Sequence, residues 1–325
     1  MIATKAIAEP SPFAVPQARP LDRAKFRDPL LTASGDARAH VALERLETLW
    51  INTGTLCNLA CKTCYILSSP TNDALVYPTF AEINAFLDEA EYLGTREIGF
   101  TGGEPFMNPD MLVMLHSALS RGFEVLVLTN AMRPMRRFEE QLDTLRCELG
   151  ARLTMRVSLD HYTQSLHEAE RGPKSWAKAI DGCKWLSERG FRITVAGRRL
   201  AGESEAAARA GYALLFAELN IRVDAFNPAA LVLFPEMDAT ADVPEISDAC
   251  WDLLAVPPGL MMCASSRMVV KRKGAPRPVV VACTLIPYDN RFALGETLGE
   301  ALGQVSLNHP HCARFCVLGG ASCSG

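Results

Sequence analysis

The 325-residue sequence has no apolar run approaching the ~18 residues of a membrane span, and its N-terminus lacks the basic start and apolar core of a secretory signal. Positive charge is not in excess. Thirty-three Lys and Arg face 37 Asp and Glu, a net charge of −4, which argues against a surface dominated by phosphate contacts and so against a nucleic-acid partner. No G-x-G-x-x-G follows the first strand-like segment, which weakens a dinucleotide-binding fold. There is no low-complexity tract and no repeat beyond a strand–helix unit. The most informative absence is a cysteine. Cys57, Cys61 and Cys64 stand as C-x3-C-x2-C, yet no fourth follows until Cys147.

Eleven cysteines in a chain this long, without a signal, read as free thiols or metal ligands rather than disulfides. Three lie at 57–64 and five in the tail, at Cys263, Cys283, Cys312, Cys316 and Cys323. Cys147, Cys183 and Cys250 lie singly in helix-like segments and are assigned to packing.

Residues 1–44, rich in Ala, Pro and Arg, read as a partly ordered extension. From Leu46 strand-like segments alternate with helical spacing: "LETLWINT", "EIGFTGG", "EVLVLTN", "LTMRVSLD", "RITVAGR" and "RVDAFNPAALVLF" are six strands. Such alternation predicts parallel βα units, as an open doubly wound sheet or a barrel. Six strands are too few for a full eight-stranded barrel. The cysteine triplet, "TGGEP", "LTN", "SLDH" and "AGR" all fall at strand C-terminal ends, where barrels carry their chemistry. After Phe234 an acidic, Pro-rich stretch leads to the five tail cysteines around an apparent hairpin, "RMVVKRKGAPRPVVVAC". The expected organisation is an extension over 1–44, a barrel over 45–235, and a linker with a small cysteine-rich domain over 236–325.

A structural zinc site closes with four ligands, usually as two local pairs. Three clustered thiols leave a tetrahedral site open; a [4Fe–4S] cube held by three leaves one iron free for a small molecule. Free or zinc-bound thiols are the bland alternative. In Thr101–Pro105 two glycines strip side chains from a strand end, so backbone can approach a ligand and its carbonyls can accept from an ammonium group, with Glu104 adding negative charge.

On Cys57, Cys61, Cys64 and the "GGEP" of 102–105, the sequence resembles the radical S-adenosylmethionine enzymes over about residues 46–235. The resemblance implies a partial (β/α)6 TIM-type barrel, a [4Fe–4S] cluster on the three cysteines, and S-adenosylmethionine chelating the open iron, its amino group on the GGEP backbone. Reductive cleavage would then yield a 5′-deoxyadenosyl radical that takes hydrogen from substrate. The cofactor-binding set comprises Thr101, Gly102, Gly103, Glu104 and Pro105, with Asn130 of "LTN", and Ser158 and Asp160, which the resemblance puts near S-adenosylmethionine. The family's usual aromatic before the third cysteine is Thr63 here, with Tyr65 after it. After Asp160, where the family's peptide- and small-molecule-modifying branch usually has glycine, stands His161, which reads as a surface residue or a substrate contact.

"RVSLDH" with the later "ERG", and "LGETLGEALGQV" before the last cysteines, resemble the branch with a C-terminal SPASM or twitch domain. This implies one auxiliary [4Fe–4S] cluster on Cys263, Cys283, Cys312 and Cys316, with Cys323 as rival for the last place; a zinc knuckle is the alternative. "KRKGAPR" (271–277) reads as a solvated hairpin tip or a guide for an anionic substrate, and Glu236 and Asp238 as loop caps or a grip on a cationic one.

The resulting expectation is a cytoplasmic, oxygen-sensitive oxidoreductase that dehydrogenates a substrate or forms a new bond in it, fed by a flavodoxin or ferredoxin, with no membrane partner. The short extension has no room for a winged-helix peptide-binding domain, which favours a small-molecule substrate. Maturation of a ribosomal peptide is the second enzymatic reading. A non-catalytic iron–sulfur scaffold is the third, disfavoured because a scaffold has no use for "TGGEP".

Overall fold

In a computed structural model, residues 11–235 and 238–320 are described. After a short strand β1 (His40–Val41), six strands run β2 (Thr48–Asn52), β3 (Glu97–Thr101), β4 (Glu124–Thr129), β5 (Leu153–Ser158), β6 (Arg192–Arg198) and β7 (Leu231–Phe234). All six pair in parallel, in sequence order. Helices α1 (Phe80–Tyr92), α2 (Met111–Ser120), α3 (Arg133–Arg136), α4 (Glu139–Leu149), α5 (Gln164–Arg171), α6 (Ser175–Glu188) and α7 (Glu205–Glu218) fill the crossovers. The result is an α/β fold consistent with the expected partial barrel.

The local reasons are legible. Every residue of β2 is buried, as in a parallel strand covered on both faces. Helix α1 starts on a capping box of Thr79 and Glu82 and buries Ile83, Phe86, Leu87 and Ala90 along one stripe. The sixth strand is shorter than its apolar run suggested. Asp224 and Asn227 accept from the backbone N–H groups of Phe226 and Ala229, turning the chain before Leu231.

The tail does not form a sheet of its own. Its hairpin, β8 (Ser266–Val270) and β9 (Val279–Val281), continues the barrel sheet, with β8 parallel to β2 and antiparallel to β9, and β10 (Ala293–Gly295) beyond. The tip at 271–277 is solvated at Lys273, Gly274, Pro276 and Arg277, as read, but its base also makes contacts. Val76 N–H donates to Lys271 O and Lys273 N–H to Ala74 O, while Lys271 and Lys273 pair with Glu82 (2.5 Å) and Asp73 (2.6 Å). The base of the tip is therefore docked on the chain that leads from the cysteine triplet into α1.

The described part of the N-terminal extension, residues 11–44, is packed against the rest of the chain. It runs along the tail, with Leu21 N–H on Thr240 O, Asp242 N–H on Arg19 O, and β1 antiparallel to β11 (Val305–Ser306). Buried Arg38 pairs with Glu245 and donates to the carbonyls of Asp28, Leu31 and Leu307. Contacts made by isolated backbone groups leave no periodicity, which is why composition concealed this order.

Candidate active site

The chain between β2 and α1 carries the triplet. Cys57 N–H donates to Ser69 O, and Cys64 and Leu67 close successive turns on Cys61 O and Cys64 O. The three thiols line one cavity, of about 150 Å³, at the C-terminal ends of the strands. Gly102, Gly103, Asn130, Ser158 and Asp160 line it too, as do Thr101 and Tyr65.

The thiols suit an iron–sulfur cluster. Backbone N–H groups of Leu59 and Ser68 lie 3.4 Å from Cys57 Sγ and Cys64 Sγ, and Asn130 Nδ2 lies 4.0 Å from Cys57 Sγ. Donors of this kind orient and tune thiolate ligands. Burial pushes the Cys57 thiol up to about 12 and the Cys61 thiol up to about 11, although nearby Arg171 draws Cys61 down. Three adjacent thiolates in such a place need a bound cation to compensate them.

The glycines of "TGGEP" act first on packing. Gly102 adopts φ +139°, and a Cβ there would meet Gly54 O at 2.5 Å. A Cβ at Gly103 would meet Leu56 O at 2.2 Å. The pair lets the turn after β3 lie against the chain that enters the triplet, sealed by Gly103 N–H on Gly54 O and Glu104 N–H on Leu56 O. Glu104 does not project its charge into the cavity. It is buried and accepts from Thr129 Oγ1 (2.8 Å), Asn130 N–H (2.9 Å) and Phe106 N–H (3.3 Å), tying the end of β4 to the turn after β3. Burial raises its carboxyl to about 7 in spite of these donors. Pro105 is buried and opens the turn Pro105–Met107.

A polar network closes the far wall. Burial opposes ionisation of Asp160, but Arg171 (2.6 Å) and Arg198 (3.9 Å) outweigh it and hold the carboxyl below its usual range. Glu170 accepts from Thr63 N–H (2.8 Å), Thr63 Oγ1 (2.7 Å) and Ser11 Oγ (2.6 Å), and Arg198 donates to Thr63 O (3.0 Å) and its hydroxyl. Thr63, where an aromatic was expected, is thus held from both sides. Glu170, Arg171 and Arg198 line the cavity, yet the sequence reading gave them no role. The only signal was their place in "ERG" and at the end of "AGR".

His161 is neither a surface residue nor a cavity-lining one. It is 1% exposed, accepts at Nδ1 from Thr163 N–H, and stacks on Tyr162 at 4.0 Å. Asp238 caps its loop by accepting from Thr240, while Glu236 lies outside the described residues.

Cys263, Cys283, Cys312 and Cys316 surround a second, smaller cavity. Cys263 lies in the turn Met262–Ala264, Cys283 just after β9, and Cys312 and Cys316 one turn apart in the wide helical turn Cys312–Val317. Burial pushes Cys263 up to about 11 and Cys312 well above its ordinary value. Four thiols are the ligand count of either a [4Fe–4S] cube or a structural zinc site. Leu285 lines both cavities. Cys323 lies outside the described residues.

Among the described residues no helix is long and apolar enough to cross a membrane. Residues 51–203 match the Radical SAM superfamily model. Over 141 residues the chain is 30% identical to the antilisterial bacteriocin subtilosin biosynthesis protein AlbA of Bacillus subtilis, covering 43% of this chain and 30% of that protein. Over 135 residues it is 29% identical to the mycofactocin maturase MftC of Mycobacterium ulcerans, covering 42% and 35%. The matches thus span about a third of these relatives. Among solved structures, SuiB of Streptococcus suis bound to precursor peptide SuiA superposes with a TM-score of 0.58 at 13% identity, over 80% of this chain and 65% of that one. Native anSMEcpe with bound AdoMet and a Cp18Cys peptide gives 0.53 at 13%, over 78% and 79%.

Proposed function

The chain belongs, through residues 51–203, to the radical SAM superfamily, in its SPASM-like branch, and is an iron–sulfur enzyme; from that premise we propose that it oxidises a ribosomally made peptide, using an auxiliary [4Fe–4S] cluster in the second cavity. The observation that carries this reading is the adjacency of the two cysteine cavities across Leu285, with Cys283 two residues away. The biosynthetic roles in the names of AlbA and MftC favour a peptide over the small molecule expected from the short extension.

Cys57, Cys61 and Cys64 would hold a cluster that supplies the electron for cleaving S-adenosylmethionine. The chain's own residues do the rest. Gly102 and Gly103 present backbone to the cavity, while Glu104 keeps Thr129 and Asn130 at its edge. Arg171 and Arg198 face the cavity as fixed positive charge, oriented by Asp160 and Glu170, and suit the carboxylate of S-adenosylmethionine. Leu128, Phe234 and Phe315 give it apolar walls, which limits water around a reactive substrate.

The test is anaerobic reconstitution followed by reaction with dithionite and candidate precursor peptides. About eight irons per chain are expected, as two cubes, with 5′-deoxyadenosine released and a peptide lighter by two hydrogens. Cys61→Ala should abolish 5′-deoxyadenosine, because the cube loses one of three protein ligands; wild-type cleavage in that variant would remove the triplet from the chemistry. Stoichiometric zinc with about four irons would sink the auxiliary cluster. A free small molecule losing two hydrogens where peptides do not would overturn the substrate class.

A further inference from the structure

The second cavity is lined by a donor beside its four thiols. His311 immediately precedes Cys312, is 6% exposed, and lines the cavity with all four cysteines. Its backbone N–H donates to His309 Nδ1 (3.1 Å), and the two rings lie 4.8 Å apart. That contact props the segment His309–Cys312 from behind. The ring nitrogens of His311 find no hydrogen-bond partner among the described residues, and unlike those of His167 they are not sealed by surrounding atoms.

The His311 ring is open to this cavity, so a group held there can accept its N–H; Arg314 and Asp238 are the charged side chains that act on it. Besides the thiols, the cavity is lined by apolar side chains, among them Met261, Leu285 and Ile286. Four thiolates already supply the ligands a [4Fe–4S] cube takes, so a histidine there is surplus as a ligand. A neutral imidazole has one N–H, and thiolate and sulfide sulfurs are the acceptors that a cluster offers it. Hydrogen bonds to cluster sulfur stabilise the reduced, more negative state and raise the reduction potential.

We propose that His311 donates its ring N–H to a sulfur of the cluster in the second cavity and thereby raises that cluster's potential, making it the better electron acceptor of the two. This rests on the auxiliary-cluster reading above.

The experiment is a redox titration of the reconstituted full chain followed by electron paramagnetic resonance, with iron and sulfide counts, for wild type, His311→Leu and His311→Gln. Circular dichroism checks that each variant is folded. The expected result is an unchanged iron count in all three. In His311→Leu the potential of the second cluster alone falls; in His311→Gln, which keeps a donor, it falls less. If His311→Leu keeps the wild-type potential, the donor role is wrong. If it loses iron or yields a three-iron signal, His311 is a ligand, which also overturns the donor role. A wild-type chain with irons for one cube only would defeat the auxiliary-cluster reading, and is told apart from the other outcomes by the count.

Discussion

At the residue scale, charge and burial decide more than identity does. Asp160 and Glu170 are buried carboxylates made tolerable by Arg171 and Arg198. His167 has no such help. It is fully buried in α5 beside Trp176, with no hydrogen bond to either ring nitrogen. Burial first, then Arg171, lowers its value to about 4 from 6.5. The folded chain therefore binds fewer protons here than the unfolded chain. The stabilisation is fully present above pH 6.5, is lost as pH falls from there to about 4, and amounts to roughly 3 kcal/mol. His167→Phe should lack this contribution, so the stability difference between the variant and wild type should shift in the variant's favour as pH falls. Urea unfolding at several pH values measures it; a pH-independent difference would refute the depressed value. The sequence marked neither His167 nor the arginines, because a single polar residue on a helix carries no periodic signal.

At the element scale, the turn after β3 and the chain entering the cysteine triplet are one packed unit. Gly103→Ala places a methyl 2.2 Å from the Leu56 carbonyl, a clash between two stretches of backbone that neither can relieve by a rotamer change. The expected cost is about 1–3 kcal/mol, with fewer irons retained after reconstitution, since the displaced segment carries Cys57. Gly303→Ala, with nothing within 4 Å of the added Cβ, is the control and should behave as wild type. Equal iron content in the two variants would show that the turn does not hold the triplet. The motif was legible in the sequence. Its use of the glycines was not, because the partner carbonyls of Gly54 and Leu56 lie almost fifty residues earlier.

At the scale of the whole molecule, barrel and tail share a sheet. Strand β8 covers the edge of β2, and residues 11–44 run from the Glu170 side of the active site to the tail. A chain ending at residue 235 would leave β2 as an apolar open edge. It should aggregate or unfold without cooperativity. Size-exclusion chromatography and urea titration decide this, and a monomer with the full-length midpoint would show that the barrel stands alone.

The sequence by itself determined the six parallel strands, the triplet short of a fourth cysteine, and the coincidence of motifs at the strand ends. These are local features, set by periodicities of two and 3.6 residues and by spacing within one loop. Only the tertiary structure decided that β8 joins β2, that the base of the hairpin tip docks on residues 73–76, and that Thr63 is clamped by Glu170 and Arg198. It alone brought four tail cysteines and His311 round one cavity. Contacts of this kind join residues tens to hundreds of positions apart through single hydrogen bonds or charges. Nothing in the local pattern records them until the chain has folded.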